Sequence, residues 1–96
     1  MLILIVHSTV REGTEAQAKE FGRKMEEFTR KEPGCRMYLC QQSLENPRHF
    51  CFYEQYDDRA ALETHWASSY FAEYITNGLA KIVESRQAET FKPVAD

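Results

Sequence analysis

The run LILIVHSTV, residues 2–10, constrains the fold more than any other stretch of the chain. Its apolar and β-branched residues read as a strand. Side chains alternate between the two faces of a strand, so Leu2, Leu4 and Val6 share one side and Ile3, Ile5 and His7 the other. Both sides begin apolar, and a strand of that kind needs cover on both of its faces. The chain has 96 residues. A polypeptide of that size buries only about 60–65% of its unfolded surface, enough for one modest core. A single domain over residues 1–96 is expected, and association with another copy would help it.

The remaining elements follow from spacing. Thr14 with Gln17 makes a capping box, and Ala18, Phe21, Met25 and Phe28 recur at helical intervals up to a stop at Pro33-Gly34. CRMYLCQQSL (35–44) and HFCFYEQY (49–56) are extended runs joined around ENPR, the pattern of an antiparallel hairpin. If that hairpin centres near Glu45 and Asn46, Cys40 and Cys51 stand opposite each other. A disulfide there would be strained, so reduced thiols are expected. Asp57 or Asp58 caps a short helix ending near Trp66. Ser68 or Ser69 opens a longer one reaching about Glu84, with Phe71, Ile75, Leu79 and Ile82 inward and a kink or break at Asn77-Gly78. SRQAETFKPV (85–94) is the last strand, frayed by Pro93.

The order β-α-β-β-α-β is the ferredoxin-like α+β plan, four antiparallel strands with helices on one face. The opposite face, which carries half of the first strand together with His49, Cys51 and Tyr53, is left without cover. A second chain packed sheet to sheet would supply it, which predicts an isologous homodimer, a dimeric α+β barrel. Each subunit then has room for a small pocket between its sheet and its own helices.

Charge and composition narrow the function. Twelve basic and fifteen acidic residues give a net charge of −3, scattered along the chain, which argues against nucleic acid and anionic membranes as partners. No apolar run approaches the roughly 20 residues of a membrane span. MLILIV is too short for a signal peptide and lacks its basic flank. Three cysteines without CxxC or CxxH spacing give neither a disulfide framework nor a zinc site. A reducing cytoplasm, no metal and no cofactor are the expectations.

The stretch FYEQYDDRAALETHW (52–66) carries the candidate chemistry. On its helix, Ala61, Leu62, His65 and Trp66 share one face, so His65 points toward the sheet. Across the gap lie Phe50, Phe52 and Tyr56, with Glu54 at the same parity. An imidazole facing a carboxylate inside an aromatic lining is a pH-poised acid–base pair. The alternative is a core histidine satisfied by one hydrogen bond. Trp66 either fills the core or touches a ligand. Glu54 pairs with His65 or Arg59, or lies at a solvated strand end. Tyr70, four residues before Tyr74, belongs to a pocket wall or to an amphipathic flank. His7 belongs to the pocket mouth or to the dimer seam.

The segment FCFYEQYDDRAALETHWASSYF, preceded by EPGCRMY, resembles the antibiotic biosynthesis monooxygenase family over nearly the whole chain. The resemblance is carried by Tyr53-Glu54, Tyr56, Asp58, Ala61-Leu62, His65 and Ser69, with Pro33-Gly34-Cys35 in support. It implies a dimeric α+β barrel and a choice of chemistries. The polyketide oxygenases of the family use an asparagine, a tryptophan and a tyrosine where this chain has Phe52, Tyr56 and Leu62. Its haem-degrading members share the tryptophan at Trp66 but carry an iron-ligating histidine where Thr76 stands. His65 matches the quinol-type members. The resemblance thus implies a cofactor-independent monooxygenase acting with O2 on a small electron-rich aromatic such as a quinol. His65 would be the catalytic base, oriented by Glu54, with Phe50, Phe52, Tyr56, Trp66, Tyr70 and His7 around the substrate. Haem degradation, a non-catalytic dimer that binds a small molecule, and isomerisation of a phosphorylated sugar-like compound are the alternatives.

Overall fold

The run at 2–10 becomes β1 (Leu2–Val10), an interior strand, in a computed structural model that describes residues 1–95. It is followed by α1 (Glu15–Thr29), β2 (Cys35–Gln42), β3 (His49–Tyr56), α2 (Arg59–Trp66), a single turn α3 (Ser69–Phe71) and β4 (Val83–Phe91). The strands form one antiparallel sheet in the order β2-β3-β1-β4, the ferredoxin-like plan expected from the sequence. On β1 the inward parity is Leu4, Val6, Ser8 and Val10, all buried, and Ile3, Ile5, His7 and Thr9 point the other way. On β3, Phe50, Phe52, Glu54 and Tyr56 are inward and buried.

Three local expectations are corrected. Thr14 does not cap α1 through its side chain. Its hydroxyl donates to the Arg11 carbonyl at 2.6 Å, and the first helical turn is held by backbone alone. The buried stripe of α1 is Ala18, Gly22, Met25 and Thr29, so Phe21 and Phe28 sit half-buried on its flank. Gly22 lies in the stripe because a Cβ there would run into Cys40 Sγ, so the helix can approach β2 only without a side chain. The hairpin register differs by one residue from the expected one, which pairs Cys51 with Gln41 and Cys40 with Phe52. A one-residue change of register exchanges the faces of a strand. Cys40 and Cys51 therefore point to opposite sides of the sheet, and both are free thiols.

Capping is otherwise as the sequence implies. Asp58 accepts from the Ala61 amide at 2.9 Å to start α2, and Ser68 accepts from the Phe71 amide at 3.2 Å to start α3. The helix expected to run to Glu84 is instead interrupted. α3 passes into a π-helical turn over Ala72–Thr76, closed by the Asn77 amide on the Ala72 carbonyl at 2.9 Å. The break expected at Asn77-Gly78 follows, with Gly78 at φ −120° and ψ −95°, and then a short 3-10 turn over Leu79–Lys81. These turns arch over the sheet and face its inward side. No helix of the described residues is long and apolar enough to cross a membrane.

The outer face of the sheet is bare within one chain. Register places Leu39, Tyr53 and Ile5 side by side, and Met37, Gln55, Ile3 and Phe91 in the next row. Met37 is 42% exposed, Leu39 37% and Phe91 42%.

Candidate active site

A cavity of about 170 Å³ lies between the inward sheet face and the arch formed by the end of α2, α3 and the turns that follow. Leu4, Val6 and Ser8 of β1, Tyr38 of β2 and Phe52 of β3 form its floor. Trp66, Phe71, Ile75, Leu79 and Ala80 roof it, and Val83 and Arg86 of β4 close one side. Among these mostly apolar groups stand two of opposite charge, Glu54 and Arg86. Both occupy inward positions of the sheet, Glu54 paired with Leu4 and Arg86 with Ser8, so strand parity sends them into the same space.

Glu54 is 4% exposed, and its Oε1 accepts a hydrogen bond from the Tyr56 hydroxyl at 2.6 Å. Burial pushes its carboxyl up to about 7, and Glu32 adds to this, while the Tyr56 hydrogen bond and the Arg86 charge work the other way. A carboxyl group so placed exchanges protons readily near neutrality. The Tyr56 phenol is itself pushed well above its ordinary value, by burial first and then by Glu54, and stays a donor.

His65 is 1% exposed and stands behind Glu54, on the face of α2 that is buried with Leu62. Its Nδ1 is 3.0 Å from Glu32 Oε2, and its Nε2 is 3.9 Å from Glu54 Oε1. Tyr38, Tyr56, Tyr70 and Phe71 surround the ring, with centroid separations from 5.3 to 6.4 Å. Burial lowers the basicity of the imidazole, and the bond to Glu32 opposes that. The Tyr70 hydroxyl donates to the same Glu32 oxygen. A row of polar groups therefore runs Tyr56, Glu54, His65, Glu32, Tyr70, hydrogen-bonded throughout except for the 3.9 Å between Glu54 and His65.

The residues singled out in the sequence are thus brought together unevenly. Phe52, Glu54 and Trp66 line the cavity. His65, Tyr56 and Tyr70 belong to the polar row behind it. Trp66 does not fill the core. It is 38% exposed, with the Arg59 guanidinium 5.1 Å from its ring, and forms part of the roof. Phe50 lines a separate shallow groove with Lys19, Arg23, Glu26, Cys40 and Gln42. His7 lies on the outer face of the sheet, where its Nδ1 is 2.9 Å from His49 Nε2. Thr76 ends the π-helical turn and is exposed.

The sequence profile of the antibiotic biosynthesis monooxygenases matches residues 1–77. The chain belongs to the antibiotic biosynthesis monooxygenase family. Solved structures agree. A crystal structure of an antibiotic biosynthesis monooxygenase is 27% identical, with a TM-score of 0.90 over 98% of this chain and 99% of that one. A Pseudomonas aeruginosa protein is 25% identical, with a TM-score of 0.90 over 97% and 93%. A Shewanella oneidensis protein is 27% identical, with a TM-score of 0.87 over 94% and 87%. No curated protein matches.

For this family member, three residues of the site escaped sequence reasoning. Tyr38 occupies the inward parity of β2, which the alternation of CRMYLCQQ could have given. Arg86, on β4, lies beyond the span that the family profile matches, and a single arginine in a polar strand carries no signal of its own. Glu32 sits in the turn after α1, directly before Pro33-Gly34, where an acidic residue reads as solvent-facing. Its contact with His65 spans 33 positions of sequence, and only the fold reveals it.

Proposed function

We propose that this family member is a cofactor-independent monooxygenase, working as a homodimer, that oxidises a small electron-rich aromatic of the hydroquinone type with O2. The observation that carries the reading is Glu54: a carboxyl group raised to about 7, set into an aromatic and aliphatic cavity with Arg86 in its wall. A cavity of about 150 Å³ holds a benzene ring. The 170 Å³ here suit a substrate of one ring.

Ground-state dioxygen is a triplet and reacts slowly with closed-shell molecules, but a hydroquinone anion can give it one electron. The site therefore has to make the anion, hold it apolar and keep water away. Glu54 takes the hydroxyl proton, and Arg86 balances the charge left on the phenolate oxygen. Electron transfer gives a semiquinone and superoxide. Their recombination forms a bond between a ring carbon and oxygen, and the peroxide regains a proton. Loss of the hydrogen on that carbon as the O–O bond breaks yields a hydroxyquinone and water. One oxygen atom stays in the product and the other leaves with two hydrogens of the substrate. Phe52, Trp66 and Phe71 supply the walls of the slot, and Tyr56 orients Glu54.

The homodimer reading rests on the outer sheet face, whose rows of Leu39, Tyr53, Ile5, Met37, Ile3 and Phe91 match a second copy of themselves. The activity is tested by oxygen uptake with a panel of reduced quinols in metal-free buffer. Acceleration above autoxidation, lost in Glu54→Gln, supports the reading. A rate equal to autoxidation for every quinol would sink it.

A further inference from the structure

We infer that Glu32 is the positioning residue of this acid–base machinery: it holds His65 with the Nε2 lone pair turned to Glu54 and supplies the counter-charge when His65 takes a proton. The inference rests on the proposed role of Glu54 as the group that first accepts the substrate's proton.

The geometry is specific. Glu32 lies in the turn after α1, fixed there by its amide on the Thr29 carbonyl at 3.0 Å and by its carbonyl under the Cys35 amide at 3.1 Å. Its side chain is 12% exposed and its Oε2 receives both His65 Nδ1, at 3.0 Å, and the Tyr70 hydroxyl. An ionised carboxylate only accepts, so the Nδ1 atom carries the hydrogen and the neutral ring keeps its lone pair on Nε2. That lone pair faces Glu54 Oε1, 3.9 Å away, a gap that a small shift of either side chain closes. The groups facing the imidazole are Glu32 from the turn, Tyr38 from β2, Glu54 and Tyr56 from β3, and Tyr70 from α3. Among the described residues, neither Glu32 nor Glu54 forms an ion pair with a lysine or arginine.

The proposed oxidation takes two protons from the substrate in turn: the hydroxyl proton, which goes back to the peroxide, and the ring-carbon proton, which leaves in water with the second oxygen atom. Between removal of the first and its return, moving it to His65 breaks the Glu54 O–H bond and forms Nε2–H, so that Glu54 is ionised again while O2 reacts. The reverse transfer delivers the proton to the peroxide. The imidazolium then lies between two carboxylates, which offsets the cost of charging a buried ring. Without Glu32 it would have one fewer counter-charge and no fixed tautomer.

Nitrogen-detected NMR of wild-type imidazoles tests the first part with no substrate present. His65 is expected in the Nδ1–H form, with Nε2 bare, and a ring protonated on Nε2 would overturn the inference. Glu32→Gln keeps a hydrogen-bond acceptor and removes the charge. The carboxyl titration of Glu54, near 7 in the wild type, is expected to move down in this variant. With a quinol that the wild type oxidises, the acid limb of the kcat profile should follow it. The turnover number should drop about 10- to 100-fold, part of the roughly 10²–10⁴ that positioned acid–base groups contribute. Glu32→Asp should recover most of the loss. An unmoved Glu54 titration with undiminished turnover in Glu32→Gln would remove Glu32 from the machinery. A wild type that oxidises no quinol would end the monooxygenase reading instead, while the tautomer and the Glu54 titration still decide what Glu32 does.

Discussion

Glu54 Oε1 lies 3.9 Å from His65 Nε2, and it is Glu54 that lines the cavity, so a bound molecule meets the carboxyl group before the imidazole. Where the sequence reading makes His65 the base and Glu54 its orienting partner, the cavity puts Glu54 first. Glu54→Gln, nearly isosteric, should lower quinol-dependent oxygen uptake by about 10²–10⁴-fold. His65→Asn should lower it less, because the first acceptor remains. Steady-state rates of both variants check this, and a larger loss in His65→Asn would reverse the order.

Ala80 offers a way to block the cavity without touching its charged groups. It is exposed at the rim and contributes to the lining. In Ala80→Trp the indole should occupy the space of a substrate ring. Binding of an aromatic probe, followed by tryptophan or probe fluorescence, should weaken by at least tenfold, about 1.4 kcal/mol. Stability should stay within about 0.5 kcal/mol, as for other surface substitutions.

How much of this was legible in the sequence varies with the range of the interaction. Strand parity placed Phe52, Glu54 and Tyr56 on the face of β3 that turns inward, and helical spacing turned His65 toward the same face. Both follow from local periodicity. Contacts that depend on how distant elements dock did not: Glu32 with His65, and Arg86 with Glu54 across one cavity. Register was the intermediate case, since a pairing shifted by one residue was enough to send Cys40 and Cys51 to opposite faces. His7 shows the limit of parity, which assigned it correctly to the side with Ile3 and Ile5 and left open what that side faces.

That side yields its own test. Ile5 is half-buried at the centre of the outer face, between Tyr53 and Glu89. A lysine there would carry a charge, paired at best with Glu89 across the strands, into a sheet-to-sheet interface that has to desolvate it. The wild type should scatter as twice the 11.2 kDa of one chain, and Ile5→Lys as one chain with the same circular dichroism. A wild-type particle of one chain at micromolar concentration would refute the dimer.

Gly78 allows the chain to leave the π-helical turn. A Cβ at this position would press on the Tyr74 carbonyl and the Phe21 ring. Gly78→Ala should therefore destabilise the fold by about 1–3 kcal/mol, the range for overpacking. The measurement is the urea midpoint, with an unchanged slope marking a loss of stability rather than a change in the unfolded chain.

Glu54 should also leave a signature in stability against pH. The folded protein holds its proton up to about 7, whereas the ordinary value is 4.5. Between those limits the folded state binds more protons than the unfolded one, so its stability falls as pH rises. The contribution is fully present below 4.5, is lost through 7 and is flat above. A shift of this size corresponds to roughly 3 kcal/mol. His65, whose basicity is lowered, acts in the opposite sense at the acid end and is present in both the wild type and Glu54→Gln. The difference in unfolding free energy between those two proteins should therefore decline from pH 4.5 to 7.5, the variant gaining relative to the wild type. Urea titrations at four pH values across that window measure it. A difference that stays level would mean that Glu54 ionises in the fold as easily as in water, and the poised base would have to be sought elsewhere.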